Sequence, residues 1–249
     1  WDGVAEVVAG GDHPVAAVDQ RGHGRSDKPD DGYDFGTLTD DLAAVVDAMG
    51  WSDRPVVAAG QSWGGNVVVE LAARRRDALT AIALVDGGTI ELQRRFADWP
   101  TCEAALTPPA FEGMALADWE RVLRRRHADW PESGIQGTLA NVQVLADGTV
   151  RPRLSRRHHL TILRQLWEHR PSLRFPDLTV PVLLVPAGDP TGRAPRYESA
   201  KREEVAAAEA ALPVHATRWI DGDHDLHAQH PDLVAGLLAG AADGSVFAA

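Results

Sequence analysis

The apolar run Pro55-Val56-Val57-Ala58-Ala59 passes directly into Gly60-Gln61-Ser62-Trp63-Gly64-Gly65, and no other stretch narrows the possible folds so far. An apolar run of this length, bounded by turn residues, reads as a buried strand. Residues 66–76 behind it read as a helix. Between strand and helix stands a serine in the pattern G-x-S-x-G. A strand-to-helix turn this sharp puts the serine in a strained backbone conformation, so its neighbours must be small and its Oγ is pushed clear of the chain. Gly60 and Gly64 are expected to permit that close approach. The bland alternative is a glycine-rich turn with an incidental serine, and the strand–turn–helix context argues against it.

The surrounding pattern alternates strand and helix. Val15 to Asp19 and Thr80 to Val85 read as strands, and Thr37 to Gly50 reads as a helix with early acids and a closing glycine. Trp1 to Gly11 reads as a further helix ending at a glycine cap. Such alternation predicts a mostly parallel sheet flanked by helices. It breaks between residues 90 and 175, where no convincing buried strand is found and helical stretches predominate. Asn141 to Val150 reads there as a small hairpin turning at Asp147-Gly148. The sheet pattern resumes at Val180 and again at His215 to Ile220. Glu198 to Leu212 reads as a long helix with Lys201, Arg202, Glu203 and Glu204 on a solvated face, and Asp232 to Leu238 as the final helix. The expected division is a core of residues 1–89 and 176–249 with an inserted lid of residues 90–175.

Composition excludes several classes. The 249 residues carry 36 acids against 25 bases, a formal charge of −11. That balance disfavours nucleic acid and anionic membrane surfaces as partners. No apolar run is long enough to span a membrane. The single cysteine, Cys102, rules out an internal disulfide and fits a cytoplasmic setting. No cofactor is expected, because Gly22-His23-Gly24 is too short for a dinucleotide fingerprint. No metal is expected either, because the histidines lack ligand spacing with a partner acid or cysteine. A small-molecule substrate is the expected partner, and the oligomeric state is left open.

Two regions downstream of Ser62 carry candidate partners for it. Val180 to Asp189 is a buried strand that ends in an acid, and Trp219 to His227 is a short strand followed by a loop with histidines. The order serine, acid, histidine, each just past the end of a strand, is the order that the motif requires. With these pieces, with Asp19-Gln20-Arg21-Gly22-His23-Gly24-Arg25-Ser26 and with Gly222 to Pro231, the chain resembles the α/β-hydrolase superfamily, in particular its small capped serine hydrolases. The resemblance covers essentially the whole chain. It implies an α/β-hydrolase fold with a mainly helical lid. It also implies an oxyanion loop after an early central strand, which residues 1–14 do not supply. The chain is therefore expected to begin some tens of residues short of an intact homologue.

The resemblance assigns roles residue by residue. Ser62 is the expected nucleophile and His224 the base, since Gly222-Asp223-His224 with Pro231 resembles the family's histidine loop although Asp223 replaces a glycine. His227 and His230 are expected to flank the final helix. Asp189 is the preferred acid. Asp86, at the end of Leu84-Val85-Asp86-Gly87-Gly88, is the alternative, because some relatives place the acid there. The backbone N–H of Trp63 is the expected oxyanion donor. Gln61, Trp63, Trp99, Trp119, Trp130 and Trp167 are expected to line an apolar substrate pocket under the lid. The expected activity is cleavage of a carboxylic ester or related acyl bond through an acyl-enzyme. A peptidase, lactonase or carbon–carbon hydrolase, and a non-catalytic small-molecule receptor on the same fold, remain as alternatives.

Overall fold

The structure is a computed structural model and describes residues 1–11, 13–75, 79–189, 192 and 195–248. The chain opens with α1 (Asp2–Gly10), crosses a loop and forms α2 (Phe35–Ala48). Strand β1 (Val57–Gln61) leads through Ser62 into α3 (Trp63–Arg74), and β2 (Ala81–Val85) follows. The expected end of the helix at Arg76 lies outside the described residues. Next come α4 (Leu92–Arg95), α5 (Trp99–Leu106), α6 (Leu116–Arg126), α7 (Glu132–Leu139), the hairpin β3 (Val142–Val144) and β4 (Val150–Pro152), and α8 (Arg156–Glu168). The sheet resumes with β5 (Val182–Val185), β6 (Ala187–Gly188), α9 (Pro195–Ala211), β7 (His215–Thr217) and β8 (Ile220–Asp221). Helices α10 (Leu226–Gln229) and α11 (Pro231–Ala242) follow.

The main sheet is parallel throughout, in the order β1-β2-β5-β7. Pro186 interrupts the β5 strand, and β6 and β8 continue the pairing for two residues beyond it. Because side chains alternate along a strand, β2 and β5 feed two separate cores. Ile82, Leu84, Val182 and Leu184 pack with Val68, Val69 and Ala72 of α3 and with Val205 and Ala208 of α9. Ala83, Val85, Leu183 and Val185 pack the other way, with Val4 of α1 and Val234 and Ala235 of α11. All of β2 and β5 is buried, as strands covered on both faces must be. A third cluster lies between β2 and β5 in the chain, where Leu92, Cys102, Leu163 and Leu166 gather with Trp63.

Three sequence readings need correction. Val15 to Asp19 form no strand, and Val15 and Val18 are 39% and 40% exposed. Among the described residues they make no backbone–backbone hydrogen bond, and an aliphatic stretch becomes a strand only against a neighbouring ladder. The loop after them is nevertheless held. Arg21 forks onto Asp41 of α2 with two bonds of 2.8 Å, and the Arg25 N–H donates to Asp19 Oδ2 at 2.9 Å. The second correction concerns α9. Glu204 is 4% exposed and paired with Arg95, and Lys201 is turned inward, so only Arg202 and Glu203 are on a solvated face. The third concerns the last strand, which is split between β7 and β8 rather than continuous. The hairpin forms as expected, with Gly148 at φ 80° in its turn. Among the described residues no helix is long and apolar enough to cross a membrane.

Candidate active site

Ser62 is set by the ends of two paired strands. Gln61 of β1 pairs with Val85 of β2, so Ser62 and Asp86 leave the sheet side by side. The Ser62 N–H still donates to the Val85 carbonyl at 3.1 Å, and the Asp86 N–H to that of Val185 at 2.9 Å. Among the described residues these are the two non-glycines with positive φ, 53° at Ser62 and 40° at Asp86. Such conformations cost energy and persist only where the surroundings impose them, which is a property of functional sites.

Glycines make the double turn possible. A Cβ on Gly60 would lie 2.2 Å from the Gly64 carbonyl oxygen, one on Gly65 would lie 2.5 Å from the Gly88 nitrogen, and one on Gly87 would lie 2.2 Å from the Ser62 carbonyl oxygen. Gly64 is less confined than the motif suggested, because a Cβ there would meet only the Gln20 side-chain nitrogen at 3.3 Å. Buried Asn66 joins the two turns, accepting from the Gly88 N–H and donating to the Ile90 carbonyl, both at 3.0 Å.

His224 arrives from the other side of the cleft. Its Nδ1 lies 2.6 Å from Asp86 Oδ2. Its loop is pinned by the Gln61 side chain, which donates to the His224 carbonyl at 2.9 Å. The neighbouring Asp223 accepts from Trp130 Nε1 at 3.0 Å and lies 3.3 Å from His127 Nδ1. The carboxylate of Asp86 is held by more than the imidazole. It accepts from the Ala187 N–H at 2.9 Å and from Lys201, whose Nζ lies 2.8 Å from Oδ1 and 3.1 Å from Oδ2. Burial pushes the Asp86 carboxyl upward, but the hydrogen bond and charge of His224, with Lys201, outweigh it and hold the carboxyl below the usual range.

It is the alternative acid, Asp86, that the structure brings to the histidine. Asp86 is on His224 Nδ1, whereas Asp189 follows the short β6, beyond the break at Pro186, and its backbone carbonyl accepts from Gly192 at 3.4 Å. Of the other histidines, burial holds His227 down to about 3, with its ring on Trp1 at 4.8 Å, and His230 stands at the start of α11.

Ser62, Asp86, Gly87, Lys201 and His224 line one cavity of about 280 Å³. Its remaining wall is largely aliphatic, with Leu84, Ile90, Leu92, Leu106, Leu166 and Val205. None of the expected aromatic lining residues borders it. Trp63 packs against Phe35 at 4.7 Å, Trp99 meets Trp167 edge-on at 6.2 Å, Trp119 stacks on Phe111 at 4.1 Å, and Trp130 is bound to Asp223. Gln61 serves the histidine loop instead. Large apolar rings pack where they bury the most area, which here is between helices. Trp63 does open α3, so its N–H belongs to the first turn, whose donors have no partner within the helix. The residue missed by sequence reading is Lys201. Its spacing from Val205, Ala208 and Leu212 places it on the buried stripe of α9, a signal that its position in a charged run obscured. Among the described residues no group of three or more His, Cys, Asp or Glu could hold a metal ion.

Comparison with known proteins agrees with this architecture. A 2-(acetamidomethylene)succinate hydrolase of Mesorhizobium japonicum is 29% identical over 170 residues, 68% of this chain and 59% of that protein. The lipase LipV of Mycobacterium tuberculosis is 42% identical over 73 residues, 29% of this chain and 27% of the lipase. The matched region thus spans 59% or less of the length of these curated relatives. Among solved structures, an E-2-(acetamidomethylene)succinate hydrolase superposes with a TM-score of 0.70 at 24% identity, covering 97% of this chain and 87% of that one. The thioesterase domain from the curacin biosynthetic pathway gives 0.72 at 20% identity, covering 96% and 85%. The family model for the alpha/beta hydrolase family matches residues 1–237. The strand order, the serine turn and this match lead to one conclusion, that the chain belongs to the alpha/beta hydrolase family.

Proposed function

We propose that the protein is a serine hydrolase that transfers an acyl group from a small, largely apolar ester to Ser62 and then to water. The observation that carries this reading is the 2.6 Å contact between His224 Nδ1 and Asp86, with both residues lining one cavity with Ser62. A carboxylate on Nδ1 fixes the proton there and leaves Nε2 free to accept the serine proton. Ser62 then attacks the acyl carbon, the Trp63 N–H donates to the developing oxyanion, and the imidazolium returns its proton to the leaving alcohol. Water enters by the same route in reverse and releases the acid. The aliphatic wall around the cavity suits an apolar acyl chain. Helices α5 and α8 contribute Leu106 and Leu166 to that wall, which is the part expected of a lid over residues 90–175.

The test is a pre-steady-state burst with short- and medium-chain p-nitrophenyl esters, parent against Ser62→Ala. The expected result is a stoichiometric burst in the parent and none in the variant, with steady turnover down at least about 1,000-fold. Intact mass after quenching should show the acyl adduct in the parent alone. A folded parent without burst or adduct would favour the receptor reading. Including 2-(acetamidomethylene)succinate, for which the Mesorhizobium relative is named, extends the panel to an amide-bearing acid.

A further inference from the structure

Lys201 makes three polar contacts, and all of them bear on the acid beside His224. Its Nζ donates to Asp86 Oδ2 at 3.1 Å and to the Ala187 carbonyl at 2.8 Å, and lies 2.8 Å from Asp86 Oδ1 as an ion pair. Its side chain is 19% exposed, and it lines the same cavity as Ser62. On the Asp86 side the two oxygens are shared out unequally. Oδ1 takes Lys201 and the Ala187 N–H, whereas Oδ2 takes His224 and Lys201 together. A fixed cation therefore sits on the oxygen that receives the imidazole.

Two effects follow from that sharing. The carboxylate is anchored from β6 and from α9, so its plane is set before His224 docks on it. The oxygen that receives the imidazole is also held by the cation, so it keeps its place when His224 moves. We infer that Lys201 is a positioning residue for His224, acting through Asp86. This inference rests on the reading of His224 as the base.

Other charged groups stand nearby among the described residues: Arg95 lines the same cavity, Asp225 adjoins His224, and the Trp1 ammonium acts on His227. His227 of α10 is held neutral by burial, and Asp223 is bound to Trp130 and near His127. On α9 itself, Glu204 is taken by Arg95, which lies over the Tyr197 ring. Ser62 and the Gln61 amide, from the elbow, are neutral. Among the described residues Lys201 is the cation in contact with Asp86 besides any charge on His224.

The test compares the parent chain with Lys201→Met, Lys201→Gln and Lys201→Arg by two readouts. The first is the downfield NMR signal of the His224 Nδ1–H, identified by its loss in His224→Gln. The second is the split between kcat and KM for a p-nitrophenyl ester. Met and Gln release the carboxylate, so the signal should move upfield or broaden and kcat should fall about tenfold with KM little changed. Arg keeps the contact with Asp86, and both readouts should stay near the parent's. Gln serves if Met does not fold. A role in folding alone would lower melting temperature with signal and kcat unmoved, and that result in a folded Met or Gln variant overturns the inference. The ring signal does not need turnover. A shifted signal in a protein that never acylates would support the Lys201 assignment and overturn the hydrolase reading. An acylating protein with an unmoved signal would do the reverse.

Discussion

Asp86→Asn is expected to lower kcat for the proposed acyl transfer by about 10,000-fold, and Asp189→Asn to cost far less. The reason lies in the tautomer. Asp86 Oδ2 lies 2.6 Å from His224 Nδ1, and a carboxylate in that place fixes the ring proton on Nδ1 and leaves Nε2 to accept. An asparagine amide can instead donate to Nδ1, which places the ring proton on Nε2, where it faces Ser62 and blocks proton abstraction. Asparagine suits the backbone here, since with aspartate it tolerates the φ of 40° better than most residues that carry a Cβ. The cost in stability comes from Lys201, whose ammonium loses its counter-charge in a part-buried place. Single-turnover kinetics, with circular dichroism to show that each variant is folded, separate the two acids. Equal loss in both variants would sink the assignment of Asp86 as the orienting acid.

Gly87→Ala carries one of the largest expected losses of stability. The added Cβ would stand 2.2 Å from the Ser62 carbonyl oxygen and 2.5 Å from its nitrogen, so backbone has to move against backbone. Overpacking of this kind costs about 3 kcal/mol, which for a chain of this size lowers Tm by roughly 6–12 °C. The variant should also lose acylation beyond its loss of stability, because relief of the clash displaces Ser62. Gly64→Ala is the control. Its Cβ meets only the end of the Gln20 side chain at 3.3 Å, and its expected change is under about 1 kcal/mol. Thermal melts of the two variants compare directly, and a Gly87→Ala protein as stable as the parent would contradict the elbow geometry.

This contrast also shows what a motif hides. The pattern G-x-S-x-G draws attention to Gly60 and Gly64, yet the confined positions are Gly60, Gly65 and Gly87. Gly87 is remote in the chain and becomes an elbow residue only because β1 and β2 pair in register. The strands β1, β2 and β5 and helix α3 were legible because buried parallel strands are continuous apolar runs. Ser62 and His224 were legible for the same reason, each following directly on a strand or its loop. The choice of acid was not, since it depends on which of two strand ends the imidazole reaches. Lys201 was hidden because a charged run reads as surface, while a single buried cation needs a partner from elsewhere in the fold. The tryptophans were misplaced because aromatic content says that rings are buried and does not say against what.

The side-by-side exit of Ser62 and Asp86 has a consequence for how the site fails. Their spacing is fixed by five residue pairs between β1, the edge strand of the sheet, and the wholly buried β2, a ladder that opens only at high cost. His224 is carried instead on a loop secured by Gln61, Gln229 and contacts to Trp130, which is the kind of segment that opens locally at far lower cost. Under mild denaturant the histidine should leave while serine and carboxylate keep their places, so the nucleophile loses its base well before it loses its fold.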